Sequence, residues 1–275
     1  MTRQATRGPV RAEAAGPAGA RASALLSRRL LVVEVVLVLA VSLGRSAVYA
    51  AVNLLESATA PGALAHQKAV LNGSLAPGRP WFDLTYQLLA LLFGVVPVVL
   101  VCYLMARSED DPRGLWARGG RQYRHDALAG LGVAAVVGGT GLAFYLGTHA
   151  LGIDLTVVPE ALPSVWWRFP VLLLSALQNA LLEEFVMIGY LLTRLRQLGL
   201  RAPAAITISA VLRGGYHLYQ GLGGFFGNAA MGLLFGYLYT RWGRVTPLVV
   251  AHFVLDVGAF VGYAVLAGHV SWLPG

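Results

Sequence analysis

The chain has 275 residues, of which 57% are hydrophobic and only 12% are charged. Soluble domains carry about 25% charged residues, so this composition excludes an ordinary water-soluble domain and predicts a chain whose main partner is the lipid bilayer. The formal net charge is +8. It does not indicate a nucleic-acid-binding protein, because the basic residues lie between apolar segments, where they orient membrane proteins.

Apolar segments in chain order predict an all-α fold, a polytopic transmembrane bundle of about seven spanning helices. Residues 1–29 are rich in Ala, Gly and Arg and are expected to form a flexible basic tail. The predicted spans follow it at 30–55, 84–106, 127–149, 169–193, 203–220, 227–242 and 245–268. A spanning helix needs about 20 residues, so the fifth and sixth are short. The stretches 55–80 and 150–167 leave room for an extra helix or a re-entrant segment.

The basic residues predict the orientation of this bundle. If the N-terminus is cytoplasmic, most of the 21 Lys and Arg residues fall in cytoplasmic segments. The extracytoplasmic segments then hold only Lys68, Arg79 and Arg168, while Arg45 and Arg213 lie within spans. Because Lys and Arg concentrate in cytoplasmic loops, we expect a multi-pass protein of the cell membrane with a cytoplasmic N-terminus and an extracytoplasmic C-terminus.

Few ionisable side chains lie deep in the predicted spans, and most of them fall in the C-terminal half. Each costs about 2.5–3.5 kcal/mol at the bilayer centre even on the lowest scales, so such residues mark function. Besides two residues of the first span, they are Glu183, Glu184, Arg213, His217, His252 and Asp256. His252 and Asp256 are four residues apart and share a helix face, as do Arg213 and His217. At similar depths, these groups could together activate a water molecule.

Three motifs carry a family resemblance. Glu183-Glu184-Phe-Val-Met-Ile-Gly is similar to the E-E-x-x-x-R motif of the CAAX-processing and bacteriocin-processing (CPBP) protease family. Arg213-Gly-Gly-Tyr-His217 resembles its F-x-x-x-H motif, and His252-Phe-Val-Leu-Asp256 resembles H-x-x-x-N or H-x-x-x-D. The order and the spacing match. The resemblance implies a protease core at 165–268, and the N-terminal transmembrane helices at 30–164 lie outside it.

Two positions depart from the family pattern. The arginine of the first motif is Ile188 here, and the phenylalanine of the second is Arg213. An unpaired arginine inside the membrane would be costly and stays protonated. We therefore expect Arg213 to compensate the charge of Glu183 or Glu184, or else to bind a substrate carboxylate.

The resemblance implies an intramembrane endopeptidase that hydrolyses a peptide bond of a membrane-associated peptide or protein. Its implied catalytic residues are Glu183, Glu184, His217, His252 and Asp256. In one version Glu183 and His217 activate water while His252 and Asp256 stabilise the oxyanion. In another, a zinc ion is bound by His217, His252 and Glu183, with water at the open position. The sequence leaves both versions open, and it contains no H-E-x-x-H motif.

Two other functions remain open at this point. A non-catalytic membrane protein, with an immunity or scaffold role, could keep the same bundle after losing catalysis. A proton-coupled transporter could also use buried Glu, His and Asp residues. However, transporters often contain internal repeats, and none is visible here. The substrate and the oligomeric state are not readable from the sequence.

Overall fold

The computed structural model describes residues 17–108, 110, 112–116, 119–267 and 269–270. Regular structure in this part is overwhelmingly helical, which confirms the predicted all-α bundle. The helices are α1 (Pro17–Ala40), α2 (Leu43–Thr59), α3 (Pro80–Arg107), α4 (Gly120–Ala150), α5 (Arg168–Glu183), α6 (Leu191–Gln197), α7 (Ala202–Tyr216), α8 (Leu222–Trp242) and α9 (Thr246–Leu266). A π-helix, Glu184–Tyr190, connects α5 to α6 without a break.

The outer surface of the bundle is apolar, as expected for helices that face lipid. Leu92 and Phe93 on α3 and Val136 on α4 are each more than 60% exposed. Four helices of the described chain are long and apolar enough to span a membrane: α3, α4, α9 and the continuous helix Arg168–Gln197. The α1–α2 pair would add a fifth. The protein is therefore a multi-pass membrane protein, and the number of seven spans stays a prediction.

The continuous helix Arg168–Gln197 lies at the centre of the bundle and is the most buried of these four spans. Residues 185–188 are apolar on every side and almost completely buried, as in a helix surrounded by other helices. Helix α5 packs against α3 and α9, α4 packs on α9, and α7 contacts both α2 and α8. The second half of the chain thus forms a core around the central helix.

Helices α7 and α8 approach closely because α8 has glycine at the contact. A Cβ atom on Gly232 would lie 2.9 Å from Ala210 Cα, and one on Gly236 would lie 2.7 Å from Ile206 Cγ2. Small residues at this spacing allow such close packing in lipid. The Gly232 position also adjoins Arg213, whose Cδ would be 3.2 Å from the added Cβ. Glycine here therefore makes room for the arginine side chain.

The N-terminal part differs from the prediction in two places. Helix α1 begins at Pro17, so residues 17–29 are helical and only 1–16 of the predicted tail lie outside the described residues. The predicted single span 30–55 is broken, and Ser27–Ala40 meets α2 at an angle of 53°. At the break, Ser42 Oγ donates a hydrogen bond to Val38 O at 2.5 Å. A serine hydroxyl that bonds back to the preceding turn favours such a bend.

Neither candidate location for an extra helix contains one. Segment 55–80 holds strand β1 (Lys68–Gly73), and segment 150–167 holds strand β2 (Thr156–Ala161). The two strands pair in parallel, with Lys68 opposite Thr156 and Gly73 opposite Ala161. Valine in both six-residue stretches, with threonine in β2, favours extended structure, and each stretch is far too short for a membrane span.

Buried ion pairs fasten the peripheral helices to the core. Arg194 on α6 is fully buried and binds Glu34 of α1 at 2.8 Å and Asp110, after α3, at 2.6 Å. Arg244, between α8 and α9, binds Asp126 of α4 at 2.5 Å. The Asp126 carboxylate raises the pKa of Arg244 above its ordinary value. These contacts satisfy charges that would otherwise be costly to bury.

Candidate active site

All six ionisable residues predicted in the C-terminal half come together in the structure. Arg213 of α7 lies between the two adjacent glutamates: its Nη2 is 2.6 Å from Glu184 Oε1 and 3.1 Å from Glu183 Oε2. The same nitrogen is 3.0 Å from His252 Nδ1 on α9. Below, these six residues are called the polar cluster: Glu183, Glu184, Arg213, His217, His252 and Asp256.

Three side chains lie close to one carboxylate oxygen of Glu183. The Tyr216 hydroxyl donates to Glu183 Oε2 at 2.7 Å, and Arg213 approaches the same oxygen. His217 Nε2 is 3.8 Å from it, which is too far for a direct hydrogen bond. A single water molecule could, however, hydrogen-bond to both the carboxylate and the imidazole at this separation.

Glu184 and His252 form the innermost pair of the cluster. His252 Nδ1 is 2.8 Å from Glu184 Oε1, and Arg213 approaches both. A carboxylate oxygen only accepts hydrogen bonds, so Nδ1 donates to Glu184 when it carries a proton and accepts from Arg213 when it does not. The ring is thereby held in one orientation, as a carboxylate commonly holds a functional histidine.

Asp256 lies at the other end of the same imidazole. Its Oδ1 is 3.7 Å from His252 Nε2, and its Oδ2 accepts a hydrogen bond from Asn179 Nδ2 at 3.2 Å. Asn179 is on α5, four residues before Glu183, so the amide and the glutamate lie on the same helix face. The cluster therefore joins α5, the π-helix, α7 and α9.

The π-helix explains how both glutamates reach one guanidinium. Neighbours on an α-helix point about 100° apart, so on a regular α-helix Glu183 and Glu184 could not face one site equally. In the structure α5 ends at Glu183 and the wider π-helix begins at Glu184. Both carboxylates contact Arg213 Nη2. Single π-helical turns occur frequently at functional sites.

His217 lies just beyond the end of the observed helix α7. The sequence placed it within a span at 203–220, but α7 ends at Tyr216, and His217 starts a turn before α8. Gly221 closes this turn with a φ of +113°, which favours glycine. Asp154, just before β2, accepts a hydrogen bond from Gly223 N at 2.7 Å and so caps the start of α8. His217 therefore lies in a turn whose end is fixed by the hydrogen bond between Asp154 and Gly223.

The cluster has a buried layer and a more accessible layer. The side chains of Glu184 and Arg213 are 0% and 1% exposed, whereas those of Glu183, His217 and Asp256 are 10%, 15% and 19% exposed. His252, at 5%, connects the two layers. A substrate could thus reach Glu183, His217 and Asp256, while Glu184 and Arg213 support them from behind.

Several polar atoms of the cluster have no partner within the protein. Over the described residues, five buried side-chain polar atoms lack a hydrogen bond, and four of them are here: Glu184 Oε2, Arg213 Nε, Arg213 Nη1 and His217 Nε2. Buried polar groups are nearly always hydrogen-bonded, so each unsatisfied group needs an explanation such as water or a ligand. The cluster therefore suits a site that receives a polar molecule.

The zinc set inferred from the sequence does not fit this arrangement. No group of three or more His, Cys, Asp or Glu side chains within the described ranges is placed to hold a metal ion. The guanidinium of Arg213 contacts both Glu183 and His252, which were two of the three expected ligands. A dication at the same atoms would face this buried positive charge. Zinc binding stays untested, and this arrangement favours the metal-free version.

Three residues that support the cluster were not predicted from the sequence. Tyr216 was not singled out, although it directly precedes His217 and its hydroxyl binds Glu183. Asn179 lies four residues before Glu183 on the same helix, but this spacing does not predict its bond to Asp256. Asp154 gave no signal, because its role depends on a contact with a glycine 69 residues away.

Comparison with known proteins supports the resemblance inferred from the motifs. No curated protein and no solved structure matches the chain. One family model does match, described as type II CAAX prenyl endopeptidase Rce1-like, over residues 165–258. The matched segment is about a third of the chain and contains the whole polar cluster. Residues 165–258 therefore resemble the type II CAAX prenyl endopeptidase Rce1-like family.

Proposed function

We propose that the protein is an intramembrane endopeptidase in which Glu183 activates the attacking water with the help of His217. The observation that carries this proposal is the pair Glu183 Oε2 and His217 Nε2, 3.8 Å apart on the accessible side of the cluster. Both groups can hydrogen-bond to one water molecule, and His217 Nε2 has no protein partner. The substrate is a membrane-associated peptide or protein. We further propose that the N-terminus is cytoplasmic and the C-terminus extracytoplasmic.

The proposed reaction is hydrolysis by general base catalysis. Glu183 accepts a proton from the water as the water oxygen attacks the carbonyl carbon of the scissile bond. The carbonyl oxygen becomes an oxyanion, which His252 would stabilise from Nε2 when its imidazole is doubly protonated. Collapse of the tetrahedral intermediate breaks the C–N bond, and the proton taken up by Glu183 passes to the leaving nitrogen.

The remaining groups of the cluster hold these residues in place. Tyr216 and Arg213 fix one oxygen of Glu183, and Glu184 fixes His252 through Nδ1. Asp256, held by Asn179, orients the other side of the His252 ring. Preorganised groups of this kind supply much of the rate enhancement of an enzyme, because they need no rearrangement in the transition state.

Cleavage of a defined lipopeptide tests the assignment of Glu183. The purified protein in nanodiscs is incubated with a panel of prenylated and unmodified membrane peptides, and new termini are identified by mass spectrometry. We expect wild-type protein to cleave at least one peptide and Glu183→Gln to lose activity by at least about 100-fold, the lower range for acid–base catalysis. The Gln variant keeps the side-chain volume and should retain the wild-type melting temperature.

Two outcomes would contradict the proposal. Wild-type turnover by folded Glu183→Gln would exclude Glu183 as the base. A panel with no cleavage by the wild type would favour the non-catalytic alternative, to which the loss of the family arginine at Ile188 also points.

The possibility of a metal is tested separately. The zinc content of the purified protein is measured by elemental analysis and compared with that of the His252→Ala variant. If the cluster binds zinc, the wild type would contain stoichiometric zinc and the variant would lose it. From the contacts of Arg213, we expect no metal that depends on His252.

A further inference from the structure

A second cavity lies at the opposite end of α7 from the polar cluster. It has a volume of about 590 Å³ and is formed where the end of α6, the start of α7 and the end of α8 meet. Its lining consists of Leu192, Thr193, Arg196, Gln197, Ala202, Ala205, Ile206, Tyr239 and Thr240. None of the catalytic groups proposed above lines it.

Basic residues lie in the lining of this cavity and next to it in sequence. Arg196 lines it directly, and the exposed residues Arg201 and Arg241 are the sequence neighbours of the lining residues Ala202 and Thr240. No acidic residue is part of the lining. The Asp110 carboxylate, which Gln197 contacts, is already paired with buried Arg194 at 2.6 Å. The cavity therefore favours an anion.

The cavity also continues into the apolar, lipid-facing surface. Leu192, Ala205 and Ile206 give it an apolar floor. On α8, Leu233 and Tyr237 are 46% and 54% exposed and share a helix face with Thr240 of the lining. A hydrocarbon chain could follow this face away from the basic residues. The combination suits a molecule with an anionic head and an apolar tail.

We infer that this cavity binds the phosphate headgroup of an anionic phospholipid, with one acyl chain along the exposed face of α8. Arg196, Arg201 and Arg241 belong to segments that the charge distribution assigns to the cytoplasmic side, where basic pockets between transmembrane helices commonly bind anionic lipids. The Tyr239 hydroxyl of the lining can donate a hydrogen bond to a phosphate oxygen, whereas the hydroxyls of Thr193 and Thr240 donate to Gly189 O and Tyr237 O. This site is independent of the proposed protease activity.

Native mass spectrometry of the delipidated full-length protein tests the inference. The protein is mixed with equal amounts of phosphatidylglycerol and phosphatidylcholine, and bound lipid is counted. We expect one tightly retained phosphatidylglycerol. Each basic side chain near an anionic lipid contributes roughly a fivefold gain in binding, so Arg196→Gln with Arg241→Gln should weaken retention about 25-fold.

A matched control and a second variant separate the site from general effects. Arg124→Gln removes an exposed arginine of α4, away from the cavity, and should leave lipid retention unchanged. Thr240→Trp should fill the cavity and reduce binding while all arginines remain. The Arg124→Gln and Thr240→Trp proteins should both keep the wild-type melting temperature in lipid-free detergent.

Three results would overturn the inference: equal retention of the two lipids, wild-type retention by the double arginine variant, or wild-type retention by the folded Thr240→Trp protein. Displacement of phosphatidylglycerol by millimolar inorganic phosphate would also overturn it, because a free-phosphate site would not need the apolar face.

Discussion

The role of Arg213 can be tested by restoring the family pattern one residue at a time. Arg213→Phe removes the guanidinium whose Nη2 lies 2.6 Å from Glu184 and 3.1 Å from Glu183. Glu184 is fully buried, so its carboxylate would lose a partner that water cannot replace. Removing one partner of a buried ion pair costs about 3–5 kcal/mol. Since His252 and Tyr216 still bind the two carboxylates, we expect a value near the lower end.

Ile188→Arg supplies the complementary half of the experiment. Ile188 is fully buried in the π-helix, four residues after Glu184, so an arginine there would project from the same helix near the glutamates. Alone, it should be destabilising, because it adds a second cation beside Arg213 and overpacks a filled position by about 1–3 kcal/mol. Combined with Arg213→Phe, the new guanidinium could pair with the unpartnered carboxylates. The double variant should therefore be more stable than the two single effects predict.

Thermal unfolding of the wild type, the two single variants and the double variant in detergent gives the coupling energy between positions 188 and 213. For a chain of this size, 1 kcal/mol corresponds to about 2–4 °C, so Arg213→Phe should lower the melting temperature by roughly 6–12 °C. Arg213→Lys serves as the control, because it keeps the positive charge and should lose less stability than Arg213→Phe. We expect a coupling of at least about 1 kcal/mol. Effects that add within about 0.5 kcal/mol would refute the reasoning, since residues that do not interact are additive to that extent.

Three further predictions follow from the packing and the charge distribution. Tyr216→Phe removes the hydroxyl that binds the proposed base Glu183. In a cleavage assay, kcat should fall about tenfold or more while KM stays nearly unchanged. If Tyr216 had a purely structural role, the melting temperature would fall instead. Gly232→Leu should destabilise the bundle by about 1–3 kcal/mol, because it forces apart α7 and α8. The control Gly258→Leu, at an open position, should not destabilise it. Equal melting temperatures of these two variants would contradict the close packing. A topology reporter after Gly275, outside the described residues, should read as extracytoplasmic and one within 107–125 as cytoplasmic; the same side for both would exclude seven spans.

The sequence by itself was sufficient to predict a helical membrane protein and the residues of the polar cluster. A deficit of charged residues has one physical consequence, burial in lipid, and every ionisable residue within an apolar span is conspicuous because its burial is costly. Glu183, Glu184 and His252 could therefore be singled out from composition and helical spacing. The motifs around them also carried the family resemblance, which the comparison confirmed for residues 165–258.

The arrangement within the cluster was decided only by the tertiary structure. The π-helix that turns Glu184 toward Arg213, and the end of α7 at Tyr216, depend on packing between helices distant in sequence. Helical periodicity assumes 3.6 residues per turn throughout, so it cannot predict a wider turn or a histidine just beyond a helix end. The bonds of Tyr216 to Glu183 and of Asn179 to Asp256 join residues 33 and 77 positions apart. Such contacts arise from how helices dock, which local sequence patterns do not encode.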